Sequence, residues 1–170
     1  IKTVQNRTNF QRRHTMENKA ALIEELNRYY TVWQETNYVY TEWAKTHGIS
    51  VSCLLALTAI DEGGGDCTQK KISQRWLIPK QTVNMILKDF ENKKLVELFP
   101  MQGDKRNKRI QFTAAGREYA DTILPALRKA ELAAIQKMGL ERMHRLSEDG
   151  ALFIKLFQEA GGKNTNDTNA

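Results

Sequence analysis

The hydrophobic period changes abruptly in the middle of this chain, and that change limits the folds that it can adopt. Before the change, over residues 83–90, apolar residues recur at the spacing of a helix with one buried face: Val83, Ile86, Leu87 and Phe90. Apolar and polar residues then alternate in part over residues 95–99, and apolar residues return at Ile110 and Phe112 after a polar, basic stretch at 101–109. We therefore predict an amphipathic helix followed by a β-hairpin with a basic tip.

A shorter helix is predicted immediately before the amphipathic helix. Thr68 is a suitable N-cap for it, and the helix ends near Trp76. The link Leu77-Ile78-Pro79 is short, and the proline suits the start of the next helix, where a missing backbone N–H is not needed. The order helix, turn, helix, strand, tip and strand predicts a winged helix-turn-helix between about Thr68 and Gly116.

The segments on both sides of this unit are predicted to be helical, which makes the fold mainly α with a small β-wing. The helix from Glu17 to about Lys45, which Gly48 ends, is longer than a small core requires, so part of its face should meet another chain. A single helix after Thr113 should bend at Pro125, because proline interrupts helical hydrogen bonds. The predicted divisions are a flexible N-terminal arm with Met16 as an alternative start, an N-terminal helix, the winged helix-turn-helix, C-terminal helices and a disordered tail, at residues 1–16, 17–49, 50–116, 117–160 and 161–170.

Positive charge is concentrated in the same central segment. Residues 67–110 hold eleven Lys or Arg against four Asp or Glu, a net charge of +7, whereas the whole chain carries +6. The positive excess therefore belongs to the predicted winged helix. Such a segregated patch is typical of proteins that bind a polyanion such as double-stranded DNA. A basic surface that serves only solubility is the alternative.

The amphipathic helix offers a polar face that suits the major groove of B-DNA, where each base pair shows a distinct set of donors and acceptors. Gln81 and Asn84 can each form two hydrogen bonds to the edge of one base, for which adenine is the favoured target. Thr82 can contact a thymine methyl group or a phosphate. Lysines on this helix can contact phosphates, and the basic tip can enter a minor groove. The predicted DNA contacts are Thr68, Gln69, Lys80, Gln81, Thr82, Asn84, Lys88, Lys105, Arg106, Lys108 and Arg109. An ordinary solvated helix face is the alternative.

Four stretches of the chain together resemble the MarR family of bacterial transcription regulators. They are Thr68-Gln69-Lys70-Lys71-Ile72, Ile78-Pro79-Lys80-Gln81-Thr82-Val83-Asn84, Asp104-Lys105-Arg106 and Phe112-Thr113-Ala114-Ala115-Gly116. The Asp-x-Arg of the wing and the Thr-x-x-Gly that follows it are the most specific parts. The resemblance extends from about Glu17 to Glu159, because the order of the helices also fits.

This resemblance implies a homodimer formed by the terminal helices at 17–49 and 117–160, with two recognition helices set for a palindromic operator. It also implies that Arg106 enters the minor groove and that Asp104 bonds nearby basic groups to orient the wing. We expect the winged helix-turn-helix to bind DNA in a sequence-specific manner. We also expect the regulatory role to be repression of transcription.

Two residues depart from the family pattern. Lys94 stands where members often have Gly before the first strand of the wing, and Met85 stands where Arg is frequent. The second departure leaves the base preference at that point unassigned. The family often binds small aromatic or anionic effectors between the first helix and the DNA-binding lobe, and Trp33 and Trp43 are the first candidates for such a pocket.

The sequence points away from an enzyme. It shows no nucleophile beside a candidate base, no paired carboxylates at a suitable spacing and no cofactor loop, so we predict no catalytic residues and no cofactor. His14, His47 and His144 lack the spacing of a metal site, and no metal is expected. Cys53 should be a core residue. Cys67 precedes a helix N-terminus, which can lower the pKa of a thiol, so a redox switch is an alternative.

No apolar run approaches the length of a membrane span, and no signal peptide is evident, so a cytoplasmic protein is expected. A protein–protein interaction module is the alternative to a DNA-binding regulator, because winged helices also use this surface to bind proteins. That alternative predicts binding that is insensitive to salt. The charge of the central segment argues against it.

Overall fold

The computed structural model describes the backbone of residues 2–101 and 104–161 and the side chains of residues 18–101 and 107–161. Within these ranges the chain is mainly helical, as the sequence predicts. The elements in chain order are α1 (Lys2–Thr46), α2 (Val51–Glu62), β1 (Cys67–Thr68), α3 (Gln69–Trp76), α4 (Lys80–Asn92), β2 (Val96–Met101), β3 (Asp104–Phe112), α5 (Ala114–Asp121), α6 (Leu124–Met138) and α7 (Leu140–Glu159).

The strands form one antiparallel sheet in the order β1-β3-β2. Its outer strand β1 pairs Cys67 with Ile110 of the central strand. We did not predict this strand, because two residues are too few to show an alternating period. The predicted basic tip at 101–109 is also corrected: β3 already begins at Asp104. Its polar outer half has no apolar side chains to alternate with, so the sequence pattern does not reveal it as a strand.

The core of the first compact unit, residues 1–116, lies between α2, α3, α4 and the sheet. The sheet contributes Val96 and Ile110, which are 3% and 1% exposed. The helices contribute the fully or almost fully buried residues Leu54, Ala56, Leu57, Ala59, Ile60, Ile72, Val83, Ile86, Leu87 and Phe90. The predicted apolar face of α4 is thus confirmed, and its burial fixes the rotation of the helix about its own axis.

The first helix differs from the prediction at its start. α1 begins at Lys2 instead of near Glu17, so the predicted arm at 1–16 falls largely within a helical backbone whose side chains lie outside the described residues. Only Ala44 of the described part of α1 is buried. Large apolar side chains along the rest of this part are exposed, among them Leu22, Tyr29, Val32 and Trp33.

The second compact unit comprises residues 117–170. The single bent helix predicted after Thr113 is wrong: α5 ends at Asp121, and α6 starts at Leu124. Pro125 stands in the first turn of α6, where its missing N–H removes no hydrogen bond. The predicted tail lies outside the described residues except for Gly161. Within the described residues, no helix combines the length and the apolar character needed to cross a membrane.

Candidate nucleic-acid interface

The turn between α3 and α4 is held by side chains of α3. Leu77 takes a left-handed conformation there, with φ 51° and ψ 33°. The Ser73 hydroxyl donates a hydrogen bond to the Ile78 carbonyl oxygen at 2.7 Å. The Gln69 side-chain amide donates to the Lys80 carbonyl oxygen at 3.0 Å, and it thereby joins the start of α3 to the start of α4. These bonds fix the angle at which α4 leaves the turn.

The outward face of α4 is polar and exposed, as predicted. Its exposed polar members include Lys80, Gln81, Asn84 and Lys88, and Thr82 is half-buried. Because Val83 and its partners on the inner face are locked in the core, the outward side chains keep a fixed direction. A helix of 13 residues is about 20 Å long, which suits the major groove.

The start of α4 has no side-chain cap among the described residues. The residue before it, Pro79, has no hydrogen-bonding side chain, and its carbonyl oxygen accepts from the Val83 N–H at 3.1 Å. The first N–H groups of a helix favour an anion. A phosphate group therefore suits this end of α4, beside Lys80.

Two of the predicted DNA contacts have structural duties. Thr68 is only 6% exposed, and its hydroxyl accepts a hydrogen bond from the Lys71 N–H at 3.2 Å. Its predicted role as the N-cap of α3 is thus confirmed, whereas its predicted DNA contact is corrected, since a buried side chain is not on the interface. Gln69 is half-buried, and its amide braces α4 through the bond to Lys80. The sequence analysis did not predict the hydrogen bond from the Ser73 hydroxyl to the Ile78 carbonyl oxygen, which also holds the turn. The shortness of the turn is the only signal of this bond in the sequence.

The basic residues of the wing separate into two groups. Lys108 and Arg109 are both exposed, but as neighbours on β3 they lie on opposite faces of the sheet. The positive charge of Arg109 adds to the lowering of the pKa of Asp66, for which the hydrogen bond from Lys71 is the largest cause. Arg109 lies near the turn before β1, since it pairs with Thr68, and Lys108 lies on the other face of the sheet.

The outer end of the wing is described only by its backbone. Asp104 pairs with Met101, and the register between β2 and β3 shifts between Pro100 and Met101. The side chains of residues 104–106 lie outside the described residues. The roles predicted for Asp104, Lys105 and Arg106 therefore stay predictions.

The Thr-x-x-Gly motif builds the base of the wing. The Thr113 hydroxyl donates to the Lys94 carbonyl oxygen at 2.7 Å and accepts from the Gly116 N–H at 2.9 Å. The Thr113 N–H donates to the Leu95 carbonyl oxygen at 3.1 Å. Lys94, which stands where the family often has Gly, is left-handed with φ 56°. The motif that is most specific in the sequence thus positions the wing from its base.

Cys67 does not fit a reactive thiolate. Cys67 is buried, and desolvation raises the pKa of its thiol to about 11, which outweighs the nearby charge of Lys71. The redox alternative suggested by its place before α3 loses its chemical basis, because a protonated thiol is a poor nucleophile. Cys53 is half-buried. Within the described residues, no three His, Cys, Asp or Glu side chains gather as metal ligands.

The two tryptophans proposed for an effector pocket lie apart on α1. Trp33 is 56% exposed. Trp43 is half-buried and stacks on His47, with ring centroids 5.4 Å apart. Its Nε1 is buried and has no hydrogen-bond partner among the described residues. Ten residues separate the two along the helix, about 15 Å, so a single small ligand cannot be centred on both.

Taken together, the braced turn, the polar outward face of α4 and the three-stranded sheet define a winged helix-turn-helix protein. Residues 47–107, which include α2 to α4 and most of the wing, match the model of the MarR family. Over these residues the chain is similar to this family of winged-helix transcription regulators.

Solved structures give the same fold. The chain is 22% identical to a MarR family regulator from Neisseria meningitidis, over 80% of this chain and 95% of that one, with a TM-score of 0.71. It is 18% identical to Staphylococcus aureus MepR in a DNA complex, over 76% and 95%, with a TM-score of 0.60. It is 21% identical to S. aureus MarR in complex with salicylate and kanamycin, over 80% and 91%, with a TM-score of 0.59. No protein with curated annotation matches the sequence.

Proposed function

We propose that this protein is a cytoplasmic repressor that binds a palindromic operator as a homodimer. The observation that carries the proposal is the outward face of α4. It is polar, it is flanked by lysines, and the buried inner face holds it rigid. The MepR complex with DNA, a protein of the same fold, supports the proposal.

Each part of the interface has a distinct expected role. Gln81 and Asn84 read base edges, because their amides combine a donor and an acceptor that suit adenine. Lys80 and Lys88 contact phosphates, and Lys108 adds a further phosphate contact from the wing. Arg106 enters the minor groove, where a narrow A·T-rich segment concentrates negative potential.

The exposed apolar side chains of the terminal helices support the homodimer. A single soluble subunit rarely exposes so many large apolar residues without a partner. On α7, Phe153 and Phe157 stack with their ring centroids 6.3 Å apart, and both are exposed. The large exposed apolar residues of α7 are Leu140, Leu146, Leu152, Phe153, Ile154, Leu156 and Phe157. In the proposed dimer these side chains and those of α1 are covered by the second subunit.

Release from DNA is proposed to follow from binding of a small aromatic or anionic effector. S. aureus MarR, a protein of the same fold, has been seen with salicylate. An effector that prefers a dimer with wrongly spaced recognition helices lowers DNA affinity by its differential affinity for the two states. The half-buried ring of Trp43 is the more suitable of the two candidate pocket residues, because Trp33 is largely exposed.

A titration of the full chain against duplex DNA tests the proposal. The duplexes are the promoter region upstream of its own gene and a random sequence, each at several salt concentrations. We expect promoter binding about 1,000-fold tighter or more, with an affinity that falls steeply as salt rises. Equal binding to both duplexes contradicts sequence-specific recognition of this region. Failure to bind either at low salt favours the protein-interaction module.

A further inference from the structure

One side chain on the outward face of α4 does not fit its polar surroundings. Met85 is 65% exposed, and it is the single apolar residue of the described α4 that is so exposed. It lies one turn after Gln81 and one turn before Lys88, and all three are exposed. Met85 is therefore at the middle of the face that is turned away from the core.

Packing within the subunit does not explain why an apolar residue stands at position 85. The core positions of α4 are taken by other residues, of which Val83 and Phe90 are 0% and 2% exposed. A methionine in that core row would be buried, whereas this one points where the proposed DNA contacts point. The exposed thioether chain is therefore available to an apolar partner outside the subunit.

We propose that Met85 reads the C5-methyl group of a thymine in the operator. The inference rests on the proposed function and assigns it a specificity-determining residue. In the major groove the base edges present donors and acceptors, and the thymine methyl is their distinctive apolar group. A methionine, which is unbranched and adaptable, can cover that methyl while Gln81 and Asn84 bond the polar edges beside it.

The expected preference follows from the burial of one methyl group. Removing a buried methyl costs a factor of about 4 in affinity, so loss of the methyl from both half-sites of a palindrome costs about 15-fold. The preference is for thymine over uracil, since the two bases differ only in that methyl. It leaves the hydrogen bonds of the A·T pair unchanged.

Uracil interference tests the inference over the whole promoter duplex, so the operator need not be located first. The duplex is prepared with deoxyuridine at random thymine positions, bound fraction and free fraction are separated, and uracil positions are mapped in each. The experiment is run with the full-length wild-type chain, with Met85→Ala and with Lys88→Ala. Both substitutions remove an exposed side chain, so thermal unfolding should be unchanged in each.

For the wild type, we expect uracil at one symmetric pair of positions to be depleted from the bound fraction. Synthetic duplexes with that pair replaced should then bind about 15-fold more weakly. Met85→Ala should bind thymine and uracil duplexes equally, whereas Lys88→Ala should weaken both equally and keep the preference.

Two results overturn the inference alone: specific binding that is indifferent to every thymine methyl, or a thymine preference that Met85→Ala retains in full. Promoter binding no tighter than random binding overturns the proposed function, and this inference with it. The two failures are thus distinguished by the same set of duplexes.

Discussion

Gly116 lies so close to Leu95 that a Cβ built on the glycine would stand 1.7 Å from the Leu95 carbonyl oxygen. That oxygen accepts the Thr113 N–H, so it belongs to the bonded base of the wing and cannot move away alone. Only a hydrogen atom fits between the start of α5 and the start of the wing. The glycine is thus required by space and not by a special backbone angle.

Substitution of Gly116 by Ala should therefore destabilise the fold strongly. We expect a loss of about 3–5 kcal/mol in the free energy of unfolding, because the backbone on both sides must shift. Gly150→Ala is the matched control: its added Cβ meets nothing within 4 Å, in the middle of α7. That variant should gain about 0.5–1 kcal/mol. Denaturant titrations would contradict the account if the two variants behaved alike.

Lys94 should be a site of removable strain. Its φ of 56° places a side chain in the left-handed region at the end of α4. Lys94→Gly should raise the free energy of unfolding by about 0.5–1 kcal/mol, because glycine takes this conformation without the steric penalty. The neighbouring Lys93, with φ −81°, supplies the control, and Lys93→Gly should not stabilise. A lower melting temperature for Lys94→Gly would show that its side chain contributes more than its strain costs.

The brace from Gln69 predicts a particular phenotype. Gln69→Ala should lower the free energy of unfolding by about 1 kcal/mol, as should Ser73→Ala, since each removes a side-chain bond that holds the start of α4. DNA affinity should fall equally for all sequences that the protein binds. A change of preference at one base pair, with stability unchanged, would instead make Gln69 a direct DNA contact.

Base-reading and phosphate-binding residues should be separable by their effects. Gln81→Ala or Asn84→Ala should relax the preference at individual base pairs more than it lowers nonspecific affinity. Lys80→Ala and Lys88→Ala should weaken all sequences and reduce the salt dependence. Binding assays on a panel of single-base variants of the operator check both. Uniform weakening by Gln81→Ala would make that residue a phosphate contact.

The wing arginine gives an independent measure of groove contact. Arg106→Ala should reduce operator affinity by about 1–3 kcal/mol if the side chain enters the minor groove. Lys105→Ala at the neighbouring position is the control, with a smaller loss expected for a single phosphate contact. Unchanged operator affinity for Arg106→Ala would remove this residue from the interface.

The buried thiol of Cys67 should resist alkylation. With its pKa raised to about 11, it stays protonated at pH 8, so iodoacetamide should label the half-buried Cys53 first and Cys67 only after unfolding. Between pH 9.0 and about pH 11 the folded state keeps the thiol proton of Cys67, whereas the unfolded chain loses it. The free energy of unfolding should therefore fall as pH rises through that window. Cys67→Ala should lessen that fall. Rapid labelling of Cys67 in the native protein would contradict its burial.

The sequence was most informative where one face of an element is buried. The spacing of Val83 to Phe90 predicted both the helix and its outward face, because burial of one side leaves a period in the sequence. The sequence was uninformative where hydrogen bonds to the backbone determine how two elements are joined. The pairing of Cys67 with Ile110 and the bond from Gln69 to Lys80 join residues far apart in the chain, and neither leaves a periodic pattern.

The predicted interface shows the same division. The exposed side chains of α4 followed from the helical period, whereas the sequence did not show that Thr68, also predicted as a DNA contact, is buried. Its burial depends on β3, which packs beside it through the pairing with Arg109. A strand distant in sequence thus decides which residues of a motif reach the surface.

The two faces of α4 are under different selection pressures. The buried residues of its inner face pack in the core, so substitutions there destabilise the whole fold. The exposed residues of its outer face lie outside the core. If Gln81 and Asn84 read the operator as proposed, a duplicated gene can acquire a new operator by point changes at these two residues while the copy continues to fold as its parent does. New regulatory circuits can thus arise from this chain without the invention of a new protein architecture.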